Sequence, residues 1–489
     1  MRAVRVSLAV VSIVALTATL VGRPVCADGG AGAKVPVTTK SEPARQAYLQ
    51  GRDLLEKLRA TDARGSFVKA TELDADFALA HYGIALSAAT ASEFFAALGE
   101  AVALADKVSA GEASMIRALE AGVNGKPEEA RKHFTALVTA YPDDERAHNL
   151  FGGYFFGRQE WLAAVEEYRR ATAIDPGFTQ PYNQLGYALR FLERYGEAEQ
   201  VFKKYTQLLP GEPNPYDSYA ELLMKMGRFA DSIAQYEKAL AVDANFVASY
   251  VGIANNQIFS GKGEAARATL ARLDAITRND GEKRQVCTWA AVSYLHEGNP
   301  TAALGEVERC LAIAKKADDR TTMAGDLAFM ATILLESGQA DTALAKYGEG
   351  VKLVDGSKAT ADVKEAAHRN GLFNTARVAL LRKDIASATA QAEEYRKRVA
   401  ARGIPFEVWQ AHELAGLVAM ARGDSKIAVA ELVQANQQNP RVLFSLGEAY
   451  LGAGDVQAAT RAFTRAADFN GLNVNYAYVR ARALAKLKS

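Results

Sequence analysis

PRVLFSLGEAYLGAGDVQAATRAFTRAADFNGL, residues 440–472, sets out the unit from which this chain is built. Leu443, Leu446, Gly447 and Tyr450 come first; past Gly454, Ala459, Phe463 and Ala466 follow. Steps of three and four residues place each set on one face of a helix. Gly454 and Asp455 stop the first helix and open the second. The stretch therefore predicts two antiparallel helices joined by a short turn and packed through bulky and small side chains.

The same spacings recur upstream. Tyr182, Leu185, Gly186, Leu189, Ala198, Phe202 and Tyr205 repeat the pattern, as do Phe151, Gly152, Phe155, Ala164, Tyr168 and Ala171. The small position steps from Gly152 to Gly186 to Ala220, and the aromatic from Tyr168 to Phe202 to Tyr236, each time by 34 residues. Pro142, Pro176, Pro210 and Pro440 interrupt the helices between copies, because proline lacks the N–H a helix interior requires. A small residue on the first helix (Gly152, Gly186, Ala220, Gly447) is expected to face a small one on the second (Ala164, Ala198, Ser232, Ala459), drawing the axes together. One such pair cannot bury its own apolar face, so neighbours must stack.

These residues resemble the tetratricopeptide repeat, a 34-residue helix–turn–helix unit. The resemblance implies an all-α, right-handed superhelical solenoid of about twelve stacked antiparallel helix pairs. It also implies protein–protein interaction as the class of activity. By this reading residues 43–246 are an N-terminal repeat array, 247–403 degenerate repeats and 404–472 a C-terminal repeat pair. Residues 473–489 hold a basic capping helix. The unit lengthens at Phe94–Ser109, Cys310–Arg320 and Glu393–Gly403.

The front of the chain reads differently. Arg2 and Arg5 precede an uncharged apolar run from Val6 to Gly22, and Val25-Cys26-Ala27 supplies small residues for a cut after Ala27. That order marks residues 1–27 as a secretory signal peptide. It implies an exported protein, periplasmic or extracellular, with no later membrane span. Residues 28–42, DGGAGAKVPVTTKSE, lack periodicity and are expected to form a flexible tether.

Composition excludes several classes of function. The 489 residues carry 58 Lys+Arg against 57 Asp+Glu, so no bulk basic field attracts nucleic acid. His412-Glu413 begins like a zinc-protease helix, but the second histidine that would share the metal is replaced by Gly416. Asp143-Asp144 and Asp318-Asp319 lack the third carboxylate of a magnesium–diphosphate motif and suit helix caps. No nucleophile elbow or phosphate loop occurs, and Gly261–Glu264 reads as a turn. Catalytic, metal-binding and cofactor-binding residues are therefore not expected.

Cys287 and Cys310 fall near the start and the end of one predicted helix pair, where the two ends lie side by side. They read either as a disulfide permitted by export or as two apolar core thiols. A partner would meet the inner wall built from the first helices. Its candidate groove is Asn149, Phe156, Asn183, Tyr187, Arg190, Asp217, Glu221, Met224 and Asn255. Asn can pair with a peptide backbone through one donor and one acceptor. Acidic Asp217 and Glu221 argue against the basic clamp with which chaperone-binding relatives hold an acidic tail. The chain thus reads as an exported scaffold for a protein or peptide. The alternatives are a structural accessory subunit of an envelope enzyme or secretion complex and, remotely, a cryptic all-helical hydrolase.

Overall fold

The computed structural model describes residues 33–488, apart from 89, 401 and 403. The expected signal peptide (1–27) and the first residues of the expected tether lie outside them. The described residues form 25 α-helices and one 3₁₀ turn, with no strand. Two compact units divide at Phe151/Gly152.

The first unit holds α1 (Glu42–Glu56), α2 (Ala60–Leu73), α3 (Ala78–Leu86), α4 (Ala91–Leu104), α5 (Ala110–Val123), α6 (Pro127–Ala140) and the start of α7 (Glu145–Gly157). The second continues with α8 (Trp161–Ile174), α9 (Gln180–Phe191), α10 (Tyr195–Leu208), α11 (Pro213–Lys225), α12 (Phe229–Val242), α13 (Val247–Phe259) and α14 (Gly263–Asp274). Next come α15 (Asp280–His296), α16 (Pro300–Lys316), α17 (Arg320–Glu336), α18 (Ala340–Asp355), α19 (Ala361–Leu381) and α20 (Ile385–Ala400). The last are α21 (Pro405–Arg422), α22 (Ser425–Leu432), α23 (Pro440–Gly452), α24 (Val456–Ala467) and α25 (Tyr476–Lys486). Within each unit, odd-numbered helices pack on the even-numbered helix that follows and form antiparallel hairpins.

The small residue of several first helices does more than admit a neighbouring small residue: it seats an aromatic ring from its own hairpin or from the preceding one. A methyl group added at Gly186 would lie 2.4 Å from Phe202 Cζ, at Gly447 2.6 Å from Phe463 Cε1, and at Gly252 2.1 Å from Tyr236 Cζ. Phe202 is fully buried, and burying such a ring contributes roughly 2–3 kcal/mol. Gly454, at φ +83°, makes the tight turn of the α23–α24 hairpin in the left-handed region that glycine enters without a steric penalty.

Irregularity between 247 and 403 has a simple cause. The α8–α14 helices run 12–14 residues, whereas α15, α16 and α17 run 17 each and α19 runs 21. The extra residues lengthen helices instead of loops, which stretches the repeat spacing. Cys287 on α15 and Cys310 on α16 are joined by a disulfide, with Cα atoms 5.8 Å apart.

Residues 34–41 depart from the flexible tether expected at 28–42: they form a strap held by the first unit. Val35 N–H donates to Asp144 Oδ2 (2.7 Å), while Thr38 N–H and Oγ1–H donate to the two carboxylate oxygens of Glu112 (2.8 and 2.6 Å). Lys34 donates to the Asp143 carbonyl (2.6 Å) and pairs with Glu145, and Thr39 donates to Asp74. Glu112 is fully buried, and Ser109 N–H and Oγ–H complete its shell. A buried carboxylate without such donors is costly. The strap therefore belongs to the fold, although its sequence lacks any periodic signal.

Candidate functional site

In the second unit the inner-face residues of consecutive hairpins grip one another. Tyr187 on α9 donates to Glu221 Oε2 on α11 (3.2 Å), and Arg190 donates to the same oxygen (3.0 Å). The Arg190 guanidinium lies 4.9 Å from the Tyr187 ring centroid. One hairpin further, Ser249 on α13 donates to Asp217 Oδ1 (2.8 Å). Burial chiefly, and the charge of Glu221 next, push the Asp217 carboxyl up to about 7 against the Ser249 hydrogen bond. Burial raises the Tyr187 hydroxyl well above its usual range.

Most of the expected groove is therefore inside the wall. Asn183, Asp217, Met224 and Asn255 are buried. The Asn255 amide N–H donates to Val251 O one turn back (2.9 Å), and the buried Oδ1 atoms of Asn183 and Asn255 find no partner among the described residues. Phe156 is half-buried, its ring edge-on to Trp161 (5.1 Å). Asn149 lies in the first unit and is buried there. Of the nine candidates, Arg190 and Glu221 are part-exposed and border an open cleft, with Met224 buried behind them.

The C-terminal segment supplies the opposite wall. After α24 the chain turns inward. Lys225 at the end of α11 donates to Phe469 O (2.6 Å), and its ammonium stands 4.2 Å from the Phe469 ring centroid. Arg465 pairs with Glu193 (3.3 Å). Tyr476, fully buried, packs against Phe259 (5.2 Å) and His296 (5.7 Å). Burial, reinforced by Arg480, lowers the His296 imidazole to about 4. On α25 Arg482 reaches Glu336 (3.7 Å), which also holds Arg377 (3.0 Å) and Arg441 (3.3 Å). The helix expected as an end cap thus packs on α23 and α24 and also on α15.

Between the two walls lies a cleft of about 500 Å³ lined by Arg190, Phe191, Lys225, Gln438, Arg465 and Phe469, among others. An adjoining space of about 320 Å³ adds Glu221, Met224 and Asn473. Burial, with Arg190 and Arg465 close by, lowers the Lys225 ammonium to about 8, while Glu193 and Asp468 oppose the shift. Sequence reasoning missed Lys225, Gln438, Arg465 and Phe469. The Lys225–Phe469 contact spans 244 positions, and no local pattern encodes it. No group of three or more His, Cys, Asp and Glu side chains among the described residues is arranged to hold a metal. His412 instead bonds Glu431 through Nδ1 (2.7 Å). No helix among the described residues is long and apolar enough to cross a membrane.

Tandem helix hairpins with an inner cleft define the class: a helical-repeat protein. The chain carries tetratricopeptide repeats: profiles of that family match residues 117–177, 179–210, 223–288 and 413–473. Among curated proteins no sequence matches significantly. Several solved structures resemble the chain weakly. The crystal structure of MamA protein shares 16% identity at a TM-score of 0.31, covering 33% of this chain and 89% of its own. YrrB, described as a TPR protein with an unusual peptide-binding site, shares 18% at 0.28, covering 37% and 91%. A tetratricopeptide repeat protein from Parabacteroides merdae ATCC 43184 shares 14% at 0.35, covering 56% and 93%. Likeness at this level carries no argument about activity.

Proposed function

We propose that this protein is an exported scaffold that binds a protein partner through the inner cleft of its second unit. The observation that carries the reading is the cleft itself. Aromatic rings, amide side chains and both signs of charge converge there in a space large enough for a few residues of an extended peptide. Such a lining can pair with a peptide backbone while an aromatic floor takes one side chain. Export is supported by the Arg-led apolar run before Ala27 and by the Cys287–Cys310 disulfide, a bond that persists in oxidising compartments.

A photo-crosslinking residue at Gln438 tests the scaffold reading. A single partner should be captured in the envelope fraction, and the same residue at exposed Gly348 should capture none. Equal capture from both positions would remove the cleft from consideration. Processing after Ala27, read by mass spectrometry of the secreted chain, tests export; an intact N-terminus on a cytoplasmic protein would refute it.

A further inference from the structure

Lys225 is out of balance with its surroundings. Its ammonium has three donors; one goes to Phe469 O and the Phe469 ring covers one side. No carboxylate among the described residues forms an ion pair with it. The two cations nearest in effect, Arg190 and Arg465, already hold Glu221 and Glu193. The remaining acid on the wall, Asp468, is exposed. A partly buried ammonium with unused donors, beside two guanidinium groups and facing an open cleft, bonds no counter-anion; Glu193 and Asp468 act on it only through space. The amides of Gln438 and Asn470 line the same space and supply further neutral donors.

We propose that the cleft is an oxyanion-binding site centred on Lys225, sized for a carboxylate or phosphate group and flanked by Arg190 and Arg465. The inference rests on the scaffold reading and names the chemistry the cleft recognises. An oxyanion accepts the free Lys225 donors, and bringing negative charge to this position favours the ammonium over the neutral amine. Two sources share this chemistry: the C-terminal carboxylate of a partner chain and a free phosphate-type ion. The site differs from a clamp laid along consecutive first helices, because α11 and the segment after α24 each supply one side.

The test titrates the full chain with inorganic phosphate, with acetyl-tetraalanine bearing a free carboxylate, and with its C-terminal amide, at constant ionic strength. Calorimetry reads affinity, and ¹³Cε lysine NMR reads the Lys225 titration. Saturable binding of phosphate or of the free acid is expected, weakened at least tenfold in Lys225→Met and retained in Lys225→Arg. The Lys225 midpoint should rise on saturation. Binding of the acid but not the amide assigns a partner's chain end; binding of phosphate alone assigns a free ion. Absence of saturable binding, binding unchanged in Lys225→Met, or a fixed Lys225 midpoint would overturn the proposal. If crosslinking at Gln438 persists in Lys225→Met while no oxyanion binds, the oxyanion site falls and the scaffold stands.

Discussion

Replacing Gly186 with Ala probes a glycine–ring contact that recurs along the chain. The added methyl would meet Phe202 at 2.4, 2.6 and 2.7 Å, at three ring carbons. Non-bonded carbons prefer about 3.5–4.0 Å, so the ring or the helix must move by ~1 Å. Phe202 is fully buried, so any shift of its ring displaces other core atoms. Overpacking of this kind costs about 1–3 kcal/mol. Alanine in a helix regains about 1 kcal/mol over glycine, which masks part of the loss. A matched control separates the two effects. Gly348, inside α18, has nothing within 4 Å of an added methyl, so Gly348→Ala should stabilise by about 0.5–1 kcal/mol. The difference between the two variants isolates the ring contact at about 1–3 kcal/mol. Urea unfolding followed by circular dichroism reads it as a shift in midpoint at unchanged slope. Adding Phe202→Leu to Gly186→Ala should recover part of the loss. If Gly186→Ala proves as stable as Gly348→Ala, the ring does not sit on Gly186 and the packing argument fails.

Three further outcomes follow from charges and staples. Asp217 has a folded value of about 7, above its unfolded value, so it binds more protons when folded; the stability it contributes is complete below about pH 4 and lost as pH rises towards 7 and beyond. Asp217→Asn should therefore be more stable than the parent at pH 8, by about 1–3 kcal/mol, and should flatten the profile between pH 4 and 8; an unchanged profile would refute this. Thr38→Val removes one charge-assisted hydrogen bond to buried Glu112 and should destabilise the first unit by about 1.5–3 kcal/mol, with faster amide exchange at Val35 and Thr38; unaltered exchange would show that the strap is not anchored there. The Cys287–Cys310 bond spans a separation of 23 residues, for which the chain-entropy relation gives about 3 kcal/mol, so dithiothreitol should lower the unfolding midpoint of the parent and leave the Cys287→Ser/Cys310→Ser variant unaffected.

The hairpins were legible in the sequence because the groups that build them lie close along the chain. Gly186 and Phe202 are 16 positions apart and recur at fixed offsets, so packing leaves a periodic trace. The polar inner face was legible as residues but not as a site. Tyr187, Arg190 and Glu221 do lie together, yet they bond to each other one hairpin along, an outcome that helical projection of a single unit does not reveal. Lys225, Arg465 and Phe469 were illegible for a different reason. Their meeting depends on how far each hairpin rotates relative to the last, summed over many units, and no individual residue sets that sum. The strap was missed because extended backbone held by carboxylates needs only donors, here Val35, Thr38 and Thr39, in no particular order.

The bond from Lys225 to Phe469 also bears on how the protein is made. Hairpins assemble from near neighbours and can form as each segment emerges into the compartment where the chain folds, since domains generally fold N-terminal first. The cleft cannot, because its second wall is translated 244 residues after Lys225. At ~5–20 residues per second that delay is on the order of 10–50 s. A chain cut short before Phe469 would still display stacked hairpins but would have no binding cleft. Ligand capture at Lys225 would then report that synthesis had run past Phe469, and truncated copies would not compete with finished ones for the partner.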